Sequence, residues 1–233
     1  MKIIELFNEL ALGELSNIDI AREGVIKELA IPKVINAANE ALLKLYSKFL
    51  LSERNLIIKV HKHITNYHLL KRFATSQEGI SIEPYLYILD NSNEIFEEDV
   101  IRIFDVYLNH TIKLPINDQT NPLSVYTPQY NIIQYPDPKD NEQLTVIYQA
   151  KPKLLKEENL YTELFDVPWF LMDALKSYIA YKIYTSMNTV ECTNKAIEYL
   201  TKYETSCMDA LTSGLVQIVE PTVCTKFKVG GWI

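Results

Sequence analysis

The sequence predicts an α+β protein in which an antiparallel α-helical bundle carries a β-rich, sandwich- or barrel-like insertion between its third and fourth helices. Apolar residues recur every three or four positions before residue 52 and again after residue 167, which is the period of an α-helix. Between these stretches they alternate with polar residues, as in strands. We therefore expect a discontinuous helical domain, a β-rich domain and an extended C-terminal arm. Their boundaries are residues 1–51 with 161–215, residues 52–152, and residues 216–233.

Three helices are predicted before the insertion from the helical spacing of their apolar residues. They span residues 2–12, 17–30 and 33–51. Gly24 weakens the second, because glycine inside a helix costs about 1 kcal/mol relative to alanine. Pro32 opens the third, which is the longest and has a clear apolar face.

The insertion is expected to consist of antiparallel strands joined by tight turns. Strands are predicted around residues 56–64, 68–75, 84–90, 100–108, 111–116, 124–135 and 144–148. Asn109 and His110 suit a turn between two of these strands. Pro128 places its strand at a sheet edge, because proline has no N–H group for a second neighbour.

Residues 167–215 predict two helices joined by a short turn, which form an antiparallel hairpin. The first has apolar residues on more than one face, so we expect either its own domain or a neighbouring subunit to cover it on two sides. Asn188 is expected to cap the second helix and Gly214 to stop it. The second helix has a single apolar stripe. Its members are Ala196, Ile197, Leu200, Tyr203, Cys207, Ala210 and Leu211.

Aromatic side chains are the candidates for protein–protein contacts. Tyrosine occurs 15 times, and its apolar body with a polar tip suits interfaces. Stacking on nucleic-acid bases is the alternative, but arginine and lysine are not interleaved with the tyrosines. In the arm, Phe227 and Trp232 are candidate partner anchors. In the first helix of the hairpin, inter-subunit packing is predicted for Phe170, Tyr178, Tyr181 and Tyr184.

The overall charge argues against DNA binding as the main activity. The net charge is −7 and no long basic run occurs, whereas non-specific DNA binding depends on cationic contacts with phosphates. An acidic surface lets DNA pass without sticking, although many soluble proteins are mildly acidic. We expect a soluble intracellular protein, because the chain has no signal peptide and no apolar span of about 20 residues.

The cysteines are expected to be reduced and structural. Cys192 and Cys207 lie about 22 Å apart along one predicted helix, whereas a disulfide needs Cα atoms within roughly 7 Å. Their spacing to each other and to Cys224 fits no zinc pattern. We therefore expect neither a disulfide nor a bound metal.

The sequence contains no recognisable catalytic motif. His61 and His63 are predicted on one strand face, as two metal ligands would be, but no third ligand has matching spacing and a solvated face explains them better. The run Glu97, Glu98 and Asp99 would need a cleft and a partner for acid–base chemistry, so a solvated turn is favoured. Glycine-rich phosphate loops and nucleophile elbows are absent from the sequence. We expect no enzymatic activity and no cofactor.

Several segments, in order along the chain, point to one protein family. They are Gly13–Asn17 after the first helix, the helix of residues 38–51 running into the strand of 55–60, then 96–107, 115–118, 125–136, 167–169 and 178–187. Together they resemble the head–tail adaptor proteins of short-tailed bacteriophages, often called tail tubular protein A-like adaptors. None of the segments is catalytic.

The resemblance implies a structural virion protein of the neck and tail, assembled in the host cytoplasm and not bound to a membrane. It implies a homo-oligomeric ring of about a dozen copies beneath the portal protein, through whose channel DNA passes without sequence-specific binding during ejection. The β-rich insertion would face tail nozzle, fibre or further ring proteins. The arm with Phe227 and Trp232 would reach the portal protein, unless the chain forms a later ring.

Two other classes of function remain open at the level of sequence. A small hydrolase could use the insertion as a lid, and a pocket with convergent titratable groups would favour that reading. A nucleic-acid-binding accessory protein could use its tyrosines for stacking, and binding that falls steeply with salt would favour that one.

Overall fold

The computed structural model describes residues 2–90, 95–162 and 167–216. The chain is mixed α and β, with more helix than strand, as the sequence predicts. It divides into two compact units. The helical unit contains the described residues of Met1–Leu51 and Pro152–Val219, and the β unit those of Ser52–Lys151. The predicted arm beyond residue 216, with its candidate anchors Phe227 and Trp232, is outside the described residues. No described helix is long and apolar enough to cross a membrane.

The described part of the helical unit contains four α-helices. They are α1 (Ile3–Leu12), α2 (Ile31–Lys48), α3 (Met172–Thr185) and α4 (Val190–Thr212). Helix α3 packs against both α2 and α4. Its buried residues include Leu175, Ile179 and Ile183. The two apolar faces predicted for this helix are therefore covered within its own unit.

A β-hairpin replaces the helix predicted over residues 17–30. Strands β1 (Ala21–Arg22) and β2 (Val25–Ile26) pair antiparallel. The two turn residues, Glu23 and Gly24, have φ angles of 54° and 77°. A two-residue type I′ turn requires positive φ at both positions. Gly24 therefore forms a tight turn and is not a weak point in a helix.

Eight strands form the β unit over the residues that are described. They are β3 (Glu53–Lys59), β4 (Asn66–His68), β5 (Ile88–Leu89), β6 (Val100–Leu108), β7 (Ile112–Leu114), β8 (Tyr126–Gln129), β9 (Ile132–Gln134) and β10 (Gln143–Ala150). One sheet has the order β5-β3-β10-β6-β7 and the other β4-β9-β8. All strand pairs in both sheets are antiparallel. Buried residues of the two sheets form one hydrophobic core, in which Leu56, Tyr67, Ile133 and Val146 take part.

Several predicted turns and edges of the β unit are confirmed. Asn109 and His110 form the turn between β6 and β7, with φ angles of 48° and 64°. Pro128 lies in β8, which is an edge strand. The ends of the unit meet, because the Ala150 N–H donates to the Ser52 carbonyl at 3.1 Å.

The first half of the β unit differs from the prediction. Strand β3 ends at Lys59, and residues 66–68, expected near a hairpin turn, form a strand of the other sheet. Short 3-10 turns at Lys71–Phe73 and Thr75–Gln77 replace a predicted strand. Buried tyrosine hydroxyls hold this region, because Tyr87 bonds to the backbone of His68. Such contacts between distant residues leave no period in the sequence.

Candidate assembly surfaces

The histidines considered as metal ligands do not share a strand face. Because β3 ends at Lys59, His61 and His63 lie in the segment that follows it. The backbone N–H of His61 donates to the hydroxyl of Tyr67 at 3.0 Å, and burial lowers the pKa of its imidazole. Over the described ranges, no three His, Cys, Asp or Glu side chains are grouped to hold a metal ion.

In the acidic run at residues 97–99, Glu97 and Glu98 are exposed, as expected for a solvated turn, but Glu98 and Asp99 also make structural contacts. A carboxylate oxygen of Glu98 accepts from the Lys71 backbone N–H at 3.0 Å. Asp99 accepts from Arg54 Nη1 at 2.9 Å and from the Tyr148 hydroxyl at 3.0 Å. These two carboxylates therefore connect neighbouring segments of the β unit.

Most tyrosines are not placed for stacking on nucleic-acid bases. Tyr46, Tyr67, Tyr87, Tyr135, Tyr148, Tyr184 and Tyr203 are buried. Only Tyr85, Tyr130 and Tyr161 among the 15 tyrosines are largely exposed. Base stacking needs several accessible rings along a basic groove. The abundance of tyrosine therefore serves the core more than the surface.

The aromatic residues predicted for inter-subunit packing make contacts inside their own chain. The Tyr184 ring is 5% exposed and stacks on Tyr199 with a centroid distance of 5.4 Å. Its hydroxyl donates to the Glu14 carbonyl at 3.1 Å. Little of Tyr184 is therefore left to meet a second copy of the chain.

The other three residues of that set are half-buried. Tyr178 lies 4.9 Å from the ring of Tyr203 and 5.5 Å from that of Tyr181. Phe170 packs edge-on against Trp169, whose side chain is 79% exposed.

A different surface of the helical unit is exposed and carries three large apolar side chains among polar ones. Nine residues of α4 point within about 60° of one line along the helix, at 100° per residue. We call them the outer stripe: Val190, Thr193, Asn194, Ile197, Thr201, Glu204, Thr205, Met208 and Thr212, all exposed. The sequence prediction that Ile197 belongs to the buried stripe is wrong, because its side chain is 60% exposed.

The threonine hydroxyls of the outer stripe donate hydrogen bonds to backbone carbonyls earlier in the same stretch of chain. Thr193 Oγ1 donates to the Thr189 carbonyl at 2.9 Å, and Thr201 Oγ1 to the Ile197 carbonyl at 3.0 Å. Thr205 and Thr212 make similar bonds. Because these hydroxyls already have acceptors, covering the stripe leaves fewer polar groups without partners.

Charged residues of α4 are concentrated on one flank of the outer stripe. Lys195 and Lys202 each bond to the Glu198 carboxylate at 2.9 Å. These hydrogen bonds lower the pKa of Glu198 to about 2. Within the stripe itself, Glu204 is the one charged residue among the nine.

A second exposed apolar surface surrounds the β1–β2 hairpin. We call it the hairpin patch: Leu12, Val25 and Leu29, which are 71%, 54% and 99% exposed. Leu12 lies against the turn, since a Cβ added at Gly24 would meet its Cδ2 at 2.7 Å.

The side of α4 opposite the outer stripe contacts the segment that follows α1. On the inner side of α4, the Tyr199 hydroxyl donates to the Glu14 carbonyl at 3.2 Å. Glu14 follows Leu12 of the hairpin patch by two residues. The inner side of α4 therefore contacts a segment that is close to the hairpin patch in sequence.

The sequence contains a signal for the outer stripe, although the helical spacing predicts Ile197 on the buried face. Val190 and Ile197 are seven residues apart. Threonines and one acidic residue occupy other positions of the same helical line. A helical line with a single charge beside a charged flank indicates a candidate contact face. No protein-family model matches the sequence, and no curated protein sequence matches it.

Proposed function

We propose that this chain is a structural virion protein of a short-tailed bacteriophage, a head–tail adaptor that joins the portal protein to the tail and forms part of the DNA channel. The finer architecture belongs to the same proposal: an antiparallel helical bundle interrupted by a β-rich insertion and followed by an extended arm. The observation that carries the proposal is the presence of large exposed apolar side chains on two surfaces of the helical unit, where an assembling protein would make contacts.

The order of elements supports this assignment. The segment Gly13–Asn17 follows α1, and α2 runs into β3 within five residues. Residues 96–107 lead into and along β6, and residues 125–136 include the β8–β9 pair. The last of the resembling segments, 178–187, covers the second half of α3 and the turn after it. The resemblance therefore falls on a consistent succession of elements.

The side-chain chemistry supports a role without catalysis. Glu98 and Asp99 are engaged in structural contacts, and the described residues bring together no metal-binding group. Seven of the 15 tyrosines are buried and five more are half-buried, and the net charge is −7. A conduit that repels the phosphate backbone lets DNA slide without binding its sequence.

In this proposal the chain forms a ring of about a dozen copies in the neck of the virion. The portal protein lies on one side of the ring, and nozzle, fibre or further ring proteins lie on the other. Phe227 and Trp232 of the arm are the proposed anchors on the portal protein. Contacts between neighbouring copies are proposed to involve the helical unit.

The test is quantitative mass spectrometry of purified particles of the phage that encodes the chain. We expect this protein in particles at a copy number close to that of the portal protein, and electron cryomicroscopy should then locate it in the neck. A replication protein of the same phage, measured in the same sample, controls for contaminants. Particles that contain the portal protein but not this chain would refute the proposal.

A further inference from the structure

We propose that the C-terminal arm of the free chain pairs, as an added strand, with the edge of β6 that β7 leaves open. This pairing belongs to the chain before assembly and goes beyond the proposed function, in which the arm contacts the portal protein in the virion. Three features support it: the geometry of one sheet edge, the sequence of the arm, and the charges of the two.

Strand β6 has a described neighbour along its whole length on one side only. Its nine residues pair with β10 from Val100 to Leu108. On the other side β7 pairs with Val106, Tyr107 and Leu108, and no described strand lies beside the part of β6 before Val106. An edge of this kind is a template to which another extended segment can add.

Pro115 explains why β7 stops where it does. Leu114 lies opposite Val106, so a longer β7 would place Pro115 opposite Asp105. Proline has no N–H group to donate to a strand ladder, and the Pro115 carbonyl accepts from the Val125 N–H at 2.9 Å. The chain therefore leaves β6 at this point, and β7 does not fill the open part of the edge.

The side chains at the open edge suit a covering strand. Ile101 and Phe104 are apolar and half-buried, whereas Val100 and Ile103 already belong to the core of the β unit. A strand laid beside them removes apolar surface from water, which stabilises the pairing by roughly 25 cal/mol per Å². Its backbone supplies the hydrogen bonds that give strand addition its affinity.

The arm contains one run of residues with the sequence of a strand. We call residues 222–229 the arm segment; they read TVCTKFKV, and they follow Pro221 and precede Gly230 and Gly231. β-branched and aromatic residues at alternating positions between such breakers predict a strand. Like the rest of the arm, the segment lies outside the described residues. With eight residues it is long enough to cover the part of β6 before Val106.

The charges of the arm segment and of the sheet edge are complementary. The arm segment has two lysines, Lys226 and Lys228, and no acidic residue. Residues 97–113, which include β6 and β7, contain four acidic residues, two basic residues and one histidine. Asp99 and Asp105 already have cationic partners. The two exposed glutamates before β6 are therefore available to the lysines of the arm.

The arm of the same chain is the occupant that the covalent connection favours. Only residues 217–221 separate the last described residue from the arm segment. A tethered segment on a short flexible linker binds at an effective concentration in the millimolar range, so it competes well against a separate protein. Covering the edge also removes a site at which free chains would aggregate.

Cys224 lies in the arm segment and allows the pairing to be trapped in the full chain. Cysteines introduced by Ile101→Cys or Phe104→Cys should form a disulfide with Cys224 under mild oxidation, because adjacent strands bring Cα atoms within disulfide range. Leu89→Cys is the matched control, since Leu89 is also half-buried but lies on β5, at the opposite edge of the sheet. Peptide mapping identifies the bond, and circular dichroism checks that the variants remain folded.

The trapped bond should form within one chain, at a rate that does not change with protein concentration. Cysteines on β6 that react with Cys224 no faster than the control cysteine on β5 would overturn the pairing. Disulfides that link two chains would show that the edge takes the arm of another copy, and they would overturn the assignment to the chain's own arm.

Hydrogen exchange tests the same pairing without new cysteines. Thr225→Pro removes an N–H group in the middle of the arm segment and prevents strand pairing there. It should therefore cause a loss of protection in the part of β6 before Val106, at the amides that do not face β10. Gln217→Pro is the control, because residue 217 precedes the arm segment. Exchange in β6 that is the same in the wild type and in Thr225→Pro would contradict the added strand.

The outcomes separate this pairing from the proposed function. A chain whose arm is trapped on β6, but which is absent from particles, keeps the pairing and refutes the adaptor role. A chain that occurs in particles beside the portal protein, yet shows neither the disulfide nor the protection of β6, keeps the adaptor role and refutes the pairing.

Discussion

At the scale of single residues, the β unit relies on tyrosine hydroxyls that reach backbone or carboxylate partners. Tyr67 and Tyr87 bond to the backbone of His61 and His68, and burial raises the pKa of both hydroxyls. A buried tyrosine contributes apolar area and a directed hydrogen bond together. Each ring can therefore fill the core and also fix the loop beside it.

We expect Tyr148→Phe to destabilise the protein by about 1–3 kcal/mol, the range for a buried hydrogen bond to a charged group. Tyr148 is 2% exposed, and its hydroxyl donates to the Asp99 carboxylate at 3.0 Å. Urea denaturation measures the change. Tyr107→Phe is the control, because its hydroxyl contacts Asp105 at 3.4 Å on a more exposed part of the strand. Equal losses for the two variants would contradict a special role for the Tyr148 hydroxyl.

Alanine substitutions at Gly24 and Gly79 allow the cost of a positive φ angle to be compared at two sites. Their φ angles are 77° and 79°, but a Cβ at Gly24 meets Leu12 and one at Gly79 meets nothing. Alanine at either site should cost about 1–2 kcal/mol, since left-handed backbone disfavours a Cβ. Only Gly24→Ala should also weaken self-association, because Leu12 of the hairpin patch must move. Thermal melts and sedimentation together check this, and unchanged association by Gly24→Ala would count against the patch.

At the scale of elements, α4 is defined at both ends by local hydrogen bonds. Thr189 is its N-cap, and the Thr189 hydroxyl accepts from the Cys192 N–H at 3.2 Å. At the other end Gly214 has a φ of 66°, and the Leu215 N–H donates to the Ala210 carbonyl at 3.1 Å. This is the Schellman arrangement that glycine permits. Hydrogen bonds within a few residues of each end therefore determine where the helix begins and ends.

We expect Thr189→Ala to cost about 1 kcal/mol, because one N–H of the first turn of α4 loses its acceptor. Thr193→Ala is the matched control. The Thr193 hydroxyl donates to the Thr189 carbonyl and does not cap an N–H group. Urea denaturation of both variants measures the difference. A Thr193→Ala loss as large as that of Thr189→Ala would show that the cap is not the cause.

The elements that the sequence predicts well are those with a long and unambiguous period. Helices α2 and α4 and strands β6 and β10 lie close to their predicted ranges. Gly214 ends α4 as predicted, whereas Asn188 takes a φ of 52° before the helix and leaves the cap to Thr189. Periodicity locates an element, but the capping residue depends on the path of the chain around it.

The parts of the fold that the sequence does not predict depend on contacts between residues far apart in the chain. The segment 17–30 has apolar residues at helical spacing, yet Glu23 and Gly24 turn it into a hairpin that packs on α1. Ile197 is apolar and lies one step from the buried line of α4, but the neighbouring helices cover the other side. Sequence spacing identifies apolar faces but does not tell which face is covered. The exposed position of Ile197 could not be predicted for this reason.

At the scale of the whole molecule, two distant parts of the sequence make one helical unit. The ranges Met1–Leu51 and Pro152–Val219 belong together, and Ser52–Lys151 lies between them in sequence. The ends of the β unit are adjacent, since Ala150 and Ser52 are hydrogen-bonded across β3 and β10. A short loop can therefore replace it at little entropic cost.

We expect a chain in which residues 52–151 are replaced by a short glycine–serine loop to keep the helices and to associate as the full chain does. The physical reason is that the outer stripe and the hairpin patch both belong to the helical unit, as do the contacts of α3 with α2 and α4. Circular dichroism measures the helices and sedimentation velocity the association. The same shortened chain with Ile197→Asp is the control and should be monomeric. A shortened chain that folds but stays monomeric, while the full chain associates, would place the subunit contact in the β unit.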